Sequence, residues 1–323
     1  RKNFFFENYK KLAIIFFSYI FFVYLFWPFL WEQPIQNFLI SFKSFSNYDW
    51  GSSVFYLGSY IKANNLPWHY AIVWIISTTP IIFLIYFFIG FIKILYQLCN
   101  NFLNISEENK IWSTVNEQKD FFVILFFIIS IFSVIFFNST LYSGWRHLYF
   151  IYPCLIYLLA VGLNYIFSIK IKKLSQNIIL VITFIFLIFN FYNVMKFHPY
   201  QNVYFNLLVE KKANKLFEID YWGLGNREAI NYLYKVDKNN SKITIRTASF
   251  TPLFYSKLII EDEVNKAIDL SGSKQANQTY IFTNYIYDKN PKYEKKYFIP
   301  QNYSKFFTLK KGNIIINEIF KRD

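Results

Sequence analysis

Residues 178–195 read IILVITFIFLIFNFYNVM, a run without a single Asp, Glu, Lys, Arg or His. A helix of about 20 mainly apolar residues crosses the roughly 30 Å hydrocarbon core of a bilayer. Lys172 and Lys173 before the run and Lys196 after it mark where water would return. Outward from this segment, four more stretches share its character, at 12–31, 71–92, 121–137 and 148–167. The expected fold class is a multi-spanning α-helical membrane protein, with five transmembrane helices inside residues 1–195. The third stretch is short and is expected to complete its span with residues 138–142. Pro80 lies within the second and is expected to kink it, as membrane helices tolerate. As drawn, no span holds an ionisable side chain. Ion-coupled transport, proton relays and voltage sensing depend on such groups at membrane depth, so the sequence argues against those classes.

Composition agrees. Hydrophobic residues make up 54% and charged residues 17%, against about 25% charged in an ordinary soluble domain. The net charge of +14 would suggest nucleic acid in a soluble protein. Here many lysines flank apolar segments, and no nucleic-acid partner is expected. Cys99, in a predicted inner loop, and Cys154, within a helix, suit neither a disulfide framework nor a thiolate metal site. His69, His147 and His198 fall near predicted helix ends, which disfavours haem held inside the bundle. No metal-ligating set is expected. Met195 is the only methionine, so the chain is read as a fragment that begins after the natural start.

Lys and Arg in the short connections set orientation. Segments 1–11, 93–120 and 168–177 hold ten of them, among them Lys93, Lys110, Lys119, Lys170 and Lys172; segments 32–70 and 138–147, of equal total length, hold only Lys43, Lys62 and Arg146. The amino end is therefore expected inside, with 32–70 as an outer loop and the carboxyl end outside.

From Lys196 onward the aliphatic runs shorten, and residues 196–323 are expected to form a small extracytoplasmic α/β domain. Residues 226–235 read as a helix with Asn226 as its N-cap candidate. Residues 242–247, 278–284 and 306–320 read as strands, the last split by a hairpin turn at Lys311-Gly312-Asn313.

Three stretches reach the outer side by this count. The first contains Asn47-Tyr48-Asp49-Trp50-Gly51 and Asn65-Leu66-Pro67-Trp68-His69-Tyr70. Its aromatics are either interfacial anchors or the wall of a groove for a sugar on a lipid carrier. The second runs from Leu141 to Pro153 through Arg146, His147 and Tyr149. Arg146 is either an interfacial anchor or a clamp on a lipid phosphate, for which a planar guanidinium is suited. The third, His198-Pro199-Tyr200-Gln201-Asn202 through Asn206 to Asp220-Tyr221-Trp222-Gly223, is either an aromatic linker lying on the membrane or a sugar and acceptor contact.

Taken in order and spacing, Leu66-Pro67-Trp68-His69-Tyr70 with Thr78-Thr79-Pro80, Gly144-Trp145-Arg146-His147 through Pro153, and His198 to Asn202 with Asp220 to Gly223 resemble the bacterial membrane glycosyltransferases of family 39. These are relatives of the polyprenyl- and dolichyl-phosphate-mannose protein mannosyltransferases and of lipid A aminoarabinose transferase. The resemblance implies a GT-C type fold in the bacterial cell membrane. It also implies transfer of a mannose-like sugar from a polyprenyl-phosphate carrier to a protein, lipid or glycan acceptor. By the same resemblance Arg146 and His147 lie near the donor phosphate, Trp68, His69, Tyr70 and Tyr149 shape the donor groove, and His198, Asn202 and Asp220 touch acceptor or sugar. The family's catalytic carboxylate lies in an external loop expected before Arg1, and neither Glu32 nor Asp49 matches it, so the fragment alone is expected to be inactive. The lipid-linked sugar is the donor substrate, and a divalent-metal requirement stays open. The competing readings are a transporter or flippase of lipid-linked sugars and a non-enzymatic membrane assembly subunit.

Overall fold

The computed structural model describes residues 2–46, 48, 50–104, 112, 114–169, 173–237, 243–251, 253–270 and 278–323. Asn47 and Asp49 of the first outer motif, and Lys110, Lys170, Lys172 and Lys242, lie outside the described residues. The chain divides into two compact units, 1–50 and 51–323.

In the first unit, α1 (Lys2–Phe26) is followed by a single 3-10 turn at Pro28–Leu30 and by α2 (Pro34–Ser46). The expected span to residue 31 thus stops at Phe26, before Pro28. Trp31 closes the break by donating its indole N–H to Tyr24 O at 2.8 Å.

The second unit opens with a hairpin of β1 (Ser53–Tyr56) and β2 (Ser59–Lys62). Then come α3 (Tyr70–Thr78), α4 (Ile81–Leu103), α5 (Val115–Phe136), a 3-10 segment Arg146–Ile151 leading into α6 (Tyr152–Ser168), and α7 (Lys173–Phe197). Among the described residues five helical segments are long and apolar enough to cross a membrane: Tyr9–Phe26 in the first unit, and Ile81–Leu103, Val115–Phe136, Arg146–Ser168 and Lys173–Phe197 in the second.

Two boundaries differ from those expected. Thr79 and Pro80 are both extended, with ψ of 135° and 138°, because a residue before proline is steered out of the helical region. Pro80 therefore separates a short helix from a long apolar one, and the second segment long and apolar enough to cross a membrane is Ile81–Leu103 rather than 71–92. Cys99 accordingly lies in α4, not in a loop. α5 starts at Val115 rather than at 121, since Thr114 accepts the amide of Glu117 at 3.2 Å, a Thr-x-x-Glu cap that extends the helix ahead of its apolar stretch.

These corrections bring charge into the long apolar helices. Lys93 lies near the middle of α4, about 18 Å from its start at 1.5 Å per residue, and pairs with Asp120 of α5 at 3.6 Å. The Tyr157 hydroxyl of α6 donates to the other Asp120 oxygen at 2.8 Å. With α4 running to Leu103 and α5 starting at Val115, Lys93 and Asp120 fall within two long apolar helices rather than in the loop expected between them. Beside this cluster α4 and α6 touch backbone to backbone. A Cβ on Gly90 would stand 1.9 Å from Leu158 O, and one on Gly162 1.9 Å from Tyr86 O.

The carboxyl-terminal part is the expected α/β layer. After α8 (Ala213–Leu216) and α9 (Asn226–Val236) come β3 (Ile243–Thr247), α10 (Asp262–Ala267), β4 (Ile268–Asp269), β5 (Tyr280–Thr283), β6 (Tyr303–Lys311) and β7 (Ile314–Arg322). The sheet order is β4-β3-β5-β7-β6, with β4, β3 and β5 parallel and β7 antiparallel to both neighbours. α9 covers one face through Ala229, Ile230 and Leu233 against Ile243, Ile245 and Phe282. Gly225, not Asn226, is the N-cap of α9; the Asn226 amide donates to Thr251 at 3.1 Å instead. The turn at Gly312 and Asn313 rests on Glu210, which accepts the Asn313 amide at 2.9 Å. Tyr200, just past α7, donates to Glu228 of α9 at 2.6 Å. These contacts seat the sheet layer on the end of α7.

Candidate functional site

α3 is short but almost wholly enclosed, with Tyr70, Ala71, Trp74, Ile75 and Ser77 buried. Its last carbonyls would be orphaned by the break at Pro80. Asn206 satisfies them, donating its amide to Ile76 O at 2.6 Å and to Thr79 O at 2.9 Å, while its backbone N–H meets Ser77 O at 2.9 Å. The segment after α7 is thereby tied to the end of α3. The loop before α6 is tied there too, because Trp145 donates its indole N–H to Thr78 Oγ1 at 3.0 Å. Gly144, at φ +73°, lies over the Trp74 indole, where a Cβ would come within 3.6 Å.

These ties enclose a cavity of about 400 Å³ between α3, the start of α6 and the segment after α7, within the roughly 300–1,000 Å³ usual for small-molecule sites. Trp74, Trp145, Tyr149, Tyr152, Tyr204 and Tyr221 form aromatic walls, with Thr78, Gln201 and Asn202 as polar points. Among the described residues its wall holds no Asp, Glu, Lys or Arg. Both amide atoms of Asn202 are shielded from solvent without a hydrogen bond of ordinary geometry, although the amide lies close enough to Asp220 to favour its charged form. Burial pushes the Tyr221 hydroxyl up, with Tyr149 and Glu218 adding to the shift and Arg146 opposing it. Tyr221 stays a neutral hydrogen-bond donor. The chemistry on offer is stacking plus neutral hydrogen bonding, which matches a polyhydroxylated ligand.

Arg146 supplies positive charge beside this wall. Its guanidinium stacks over the Tyr142 ring at 4.6 Å, its Nε is shielded and unpartnered, and among the described residues no carboxylate pairs with it. His147 is exposed and meets the same Tyr142 ring edge-on at 4.7 Å.

Of the residues expected at the site, Tyr149 and Asn202 line the cavity, with Arg146 near it. Trp68 and Tyr70 instead border a separate cavity of about 60 Å³ next to the end of α5. His69 binds the Tyr56 hydroxyl through Nδ1 at 2.6 Å. His198, at a cis bond to Pro199, sits by Gln201 at 3.1 Å and gives its carbonyl to Lys311 at 3.3 Å. Asp220 is fully buried and holds the turn before α9, accepting the amides of Leu224 at 2.9 Å and Gly225 at 2.8 Å. Burial raises its pKa against those amides.

Glu218 is the group that the sequence did not single out. It is 8% exposed, and burial pushes its pKa up to about 7 although the backbone amides of Phe55 and Ser143 lie close enough to favour its charged form. It borders a third cavity of about 210 Å³, together with Asn284, Tyr285 and Asp288. One buried carboxylate thus lies between the β1–β2 hairpin and the loop that carries Gly144.

Among the described residues no cluster of three or more His, Cys, Asp or Glu is placed to hold a metal ion. The chain matches no protein-family model, no curated protein and no solved structure.

Proposed function

We propose that the protein is a membrane glycosyltransferase of GT-C type, which moves a sugar from a polyprenyl-phosphate carrier to a protein, lipid or glycan acceptor at the outer membrane face. The observation that carries this reading is the aromatic, amide-bearing cavity at the sheet-facing ends of the apolar helices, with Arg146 unpaired beside it. Trp145 and Tyr149 stack on the sugar, Asn202 and Thr78 hydrogen-bond to its hydroxyls, and Arg146 faces the carrier phosphate. In the transfer step an acceptor oxygen bonds to the anomeric carbon while the bond from that carbon to the phosphate oxygen breaks. The electron pair leaves on the polyprenyl phosphate, whose developing charge Arg146 stabilises. A carboxylate must take the acceptor's proton, and among the described residues the cavity wall provides none.

The second reading, movement of lipid-linked sugars across the bilayer, is favoured by the Lys93–Asp120–Tyr157 cluster inside the spans. Membranes containing the whole protein and a radiolabelled polyprenyl-phosphate sugar separate the two. Label fixed covalently to an acceptor supports transfer. Label that changes leaflet while staying on its carrier supports transport and defeats the first reading.

A further inference from the structure

One face of α7 forms the wall of a further cavity, of about 350 Å³, that the proposed transfer does not use. Phe189, Tyr192, Asn193, Lys196 and Phe197 line it, and their spacing of i, i+3, i+4, i+7 and i+8 puts them on a single side of the helix. The facing wall is the segment after α7, through Tyr204, Leu207 and Glu210, and the β6–β7 turn at Gly312 and Asn313. Gly312, at φ +58°, lets that turn close on Glu210, because a Cβ there would overlap Glu210 Oε1.

The wall changes character along the helix. Toward the middle of α7 it is apolar and open, with Phe189, Tyr192 and Leu207 all exposed. Lys196 lies about 10 Å further along from Phe189 at 1.5 Å per residue, and there the polar groups gather. Asn193, between the two regions, is only 9% exposed, and among the described residues nothing hydrogen-bonds to its amide. An enclosed amide left unpaired costs stability, so its donors and acceptor await a partner from the cavity. Lys196 is exposed, and among the described residues no carboxylate lies within ion-pair distance of it. Glu210 uses Oε1 to accept the backbone and side-chain amides of Asn313, at 2.9 and 3.3 Å, which leaves Oε2 as an acceptor. Among the described residues the wall thus carries one cation and one carboxylate, not paired with each other.

We propose that this cavity holds the headgroup of a zwitterionic phospholipid bearing a primary ammonium, with an acyl chain lying along Phe189 and Tyr192. Lys196 and the Asn193 amide donate to the phosphodiester, and Glu210 accepts from the ammonium. The head carries one charge of each sign, as the wall does. A purely anionic head would leave Glu210 facing the phosphate with no ammonium between them, which like charges disfavour. Basic pockets where a spanning helix leaves the hydrocarbon take lipid heads, and α7 is long and apolar enough to be such a helix. A water-soluble phosphoethanolamine ester has the same head chemistry, but only a lipid also uses the open apolar half of the wall. Tyr204 lines both this cavity and the aromatic one, so the lipid borders the candidate sugar site. The proposal rests on α7 meeting lipid and is independent of sugar transfer.

The test is native mass spectrometry of the whole protein in detergent, titrated with dioleoyl phosphatidylethanolamine, dioleoyl phosphatidylglycerol or soluble glycerophosphoethanolamine. The ethanolamine lipid should bind at least about tenfold tighter than the glycerol lipid, the order of one hydrogen bond between charged groups. Lys196→Ala and Asn193→Leu should each weaken it at least about fivefold, and Lys173→Ala, at the opposite end of α7, should leave it unchanged. Glu210→Gln, which can still accept the Asn313 amides, should remove the preference between the two lipids. Equal affinity of the native protein for both lipids overturns the proposal, as does a loss in Lys196→Ala no greater than in Lys173→Ala. Soluble headgroup binding as tightly as the lipid overturns the lipid as occupant. None of these results depends on sugar transfer, which is measured separately.

Discussion

Trp145 donates its indole N–H to Thr78 Oγ1 at 3.0 Å, and Thr78 in turn donates to Trp74 O at 2.7 Å. This chain of two bonds fixes the loop before α6 against the end of α3 and sets the width of the cavity. Replacing Trp145 by Phe keeps most of the ring and removes the donor, leaving the loop free to shift. Transfer should fall about tenfold, the order expected when a ring that positions substrate moves by a fraction of an ångström. Unchanged transfer in the labelled-carrier assay would show that the bond does not organise the site.

Gly90 and Gly162 mark a contact between α4 and α6 with no room for a side chain. Small residues at such crossings let helix backbones approach, and a Cβ at either position would overlap a carbonyl oxygen of the facing helix. Gly90→Ala and Gly162→Ala should each cost about 1–3 kcal/mol, read as a lower melting temperature in detergent. Gly51→Ala, where a Cβ meets nothing within 4 Å, should leave it unchanged.

Asn206 has an amide that closes the end of α3 and is 1% exposed. Asn206→Leu keeps the volume and leaves two carbonyls buried without a donor, a loss of about 2 kcal/mol. Limited proteolysis should then find new cleavage between α3 and α4. A protected variant would mean that the α3 carbonyls find other donors.

The ion pair between α4 and α5 gives a test with a built-in comparison. Lys93→Leu leaves Asp120 enclosed and uncompensated, whereas Lys93→Leu with Asp120→Leu removes both charges. The single variant should be less stable than the double, because a half-broken enclosed pair costs more than an apolar replacement. The opposite order in thermal unfolding would mean that Asp120 finds water or another partner.

Glu218 should make stability depend on pH. Its folded pKa, about 7, lies above the ordinary 4.5, so the folded chain holds this proton more tightly than the unfolded one. The fold is spared the cost of the charge below about pH 4.5 and loses stability as pH rises to about 7. Above that, the full cost is about 3 kcal/mol. Between pH 5 and pH 8 the melting temperature of the native protein should fall more than that of Glu218→Gln. Parallel curves would contradict the burial of this carboxylate.

How much of this was legible follows from the kind of signal each residue gives. Five apolar runs reveal five helices because lipid demands length and hydropathy, which are local properties. The α/β layer was readable for the same reason, down to the turn at Gly312. Boundaries set by single residues were legible only with the correct local rule: Thr114 and Glu117 form a cap, and Thr79 before Pro80 is a break. The β1–β2 hairpin had a signal too, since Leu57-Gly58 separates Val54-Phe55-Tyr56 from Tyr60-Ile61, the pattern of a tight turn between apolar runs. Glu218 gave none, because an acidic residue between Phe217 and Ile219 does not announce that a distant hairpin and loop will close over it. Likewise Trp68, His69 and Tyr70 lie close in sequence to Trp74, yet Trp68 precedes α3 and borders another cavity with Tyr70, while Trp74, one turn further along α3, lines this one. Proximity in sequence predicted the neighbourhood of the site but not its wall.

The most direct measurement is transfer of labelled sugar from a polyprenyl-phosphate carrier by membranes holding equal amounts of native protein, Arg146→Ala and Arg146→Lys. An arginine facing the phosphate predicts at least a tenfold loss in Arg146→Ala, as removal of one stabilising donor typically causes, with partial activity in Arg146→Lys and undiminished expression in both. Equal transfer by all three would contradict a phosphate-facing Arg146 and reduce it to an anchor on the Tyr142 ring.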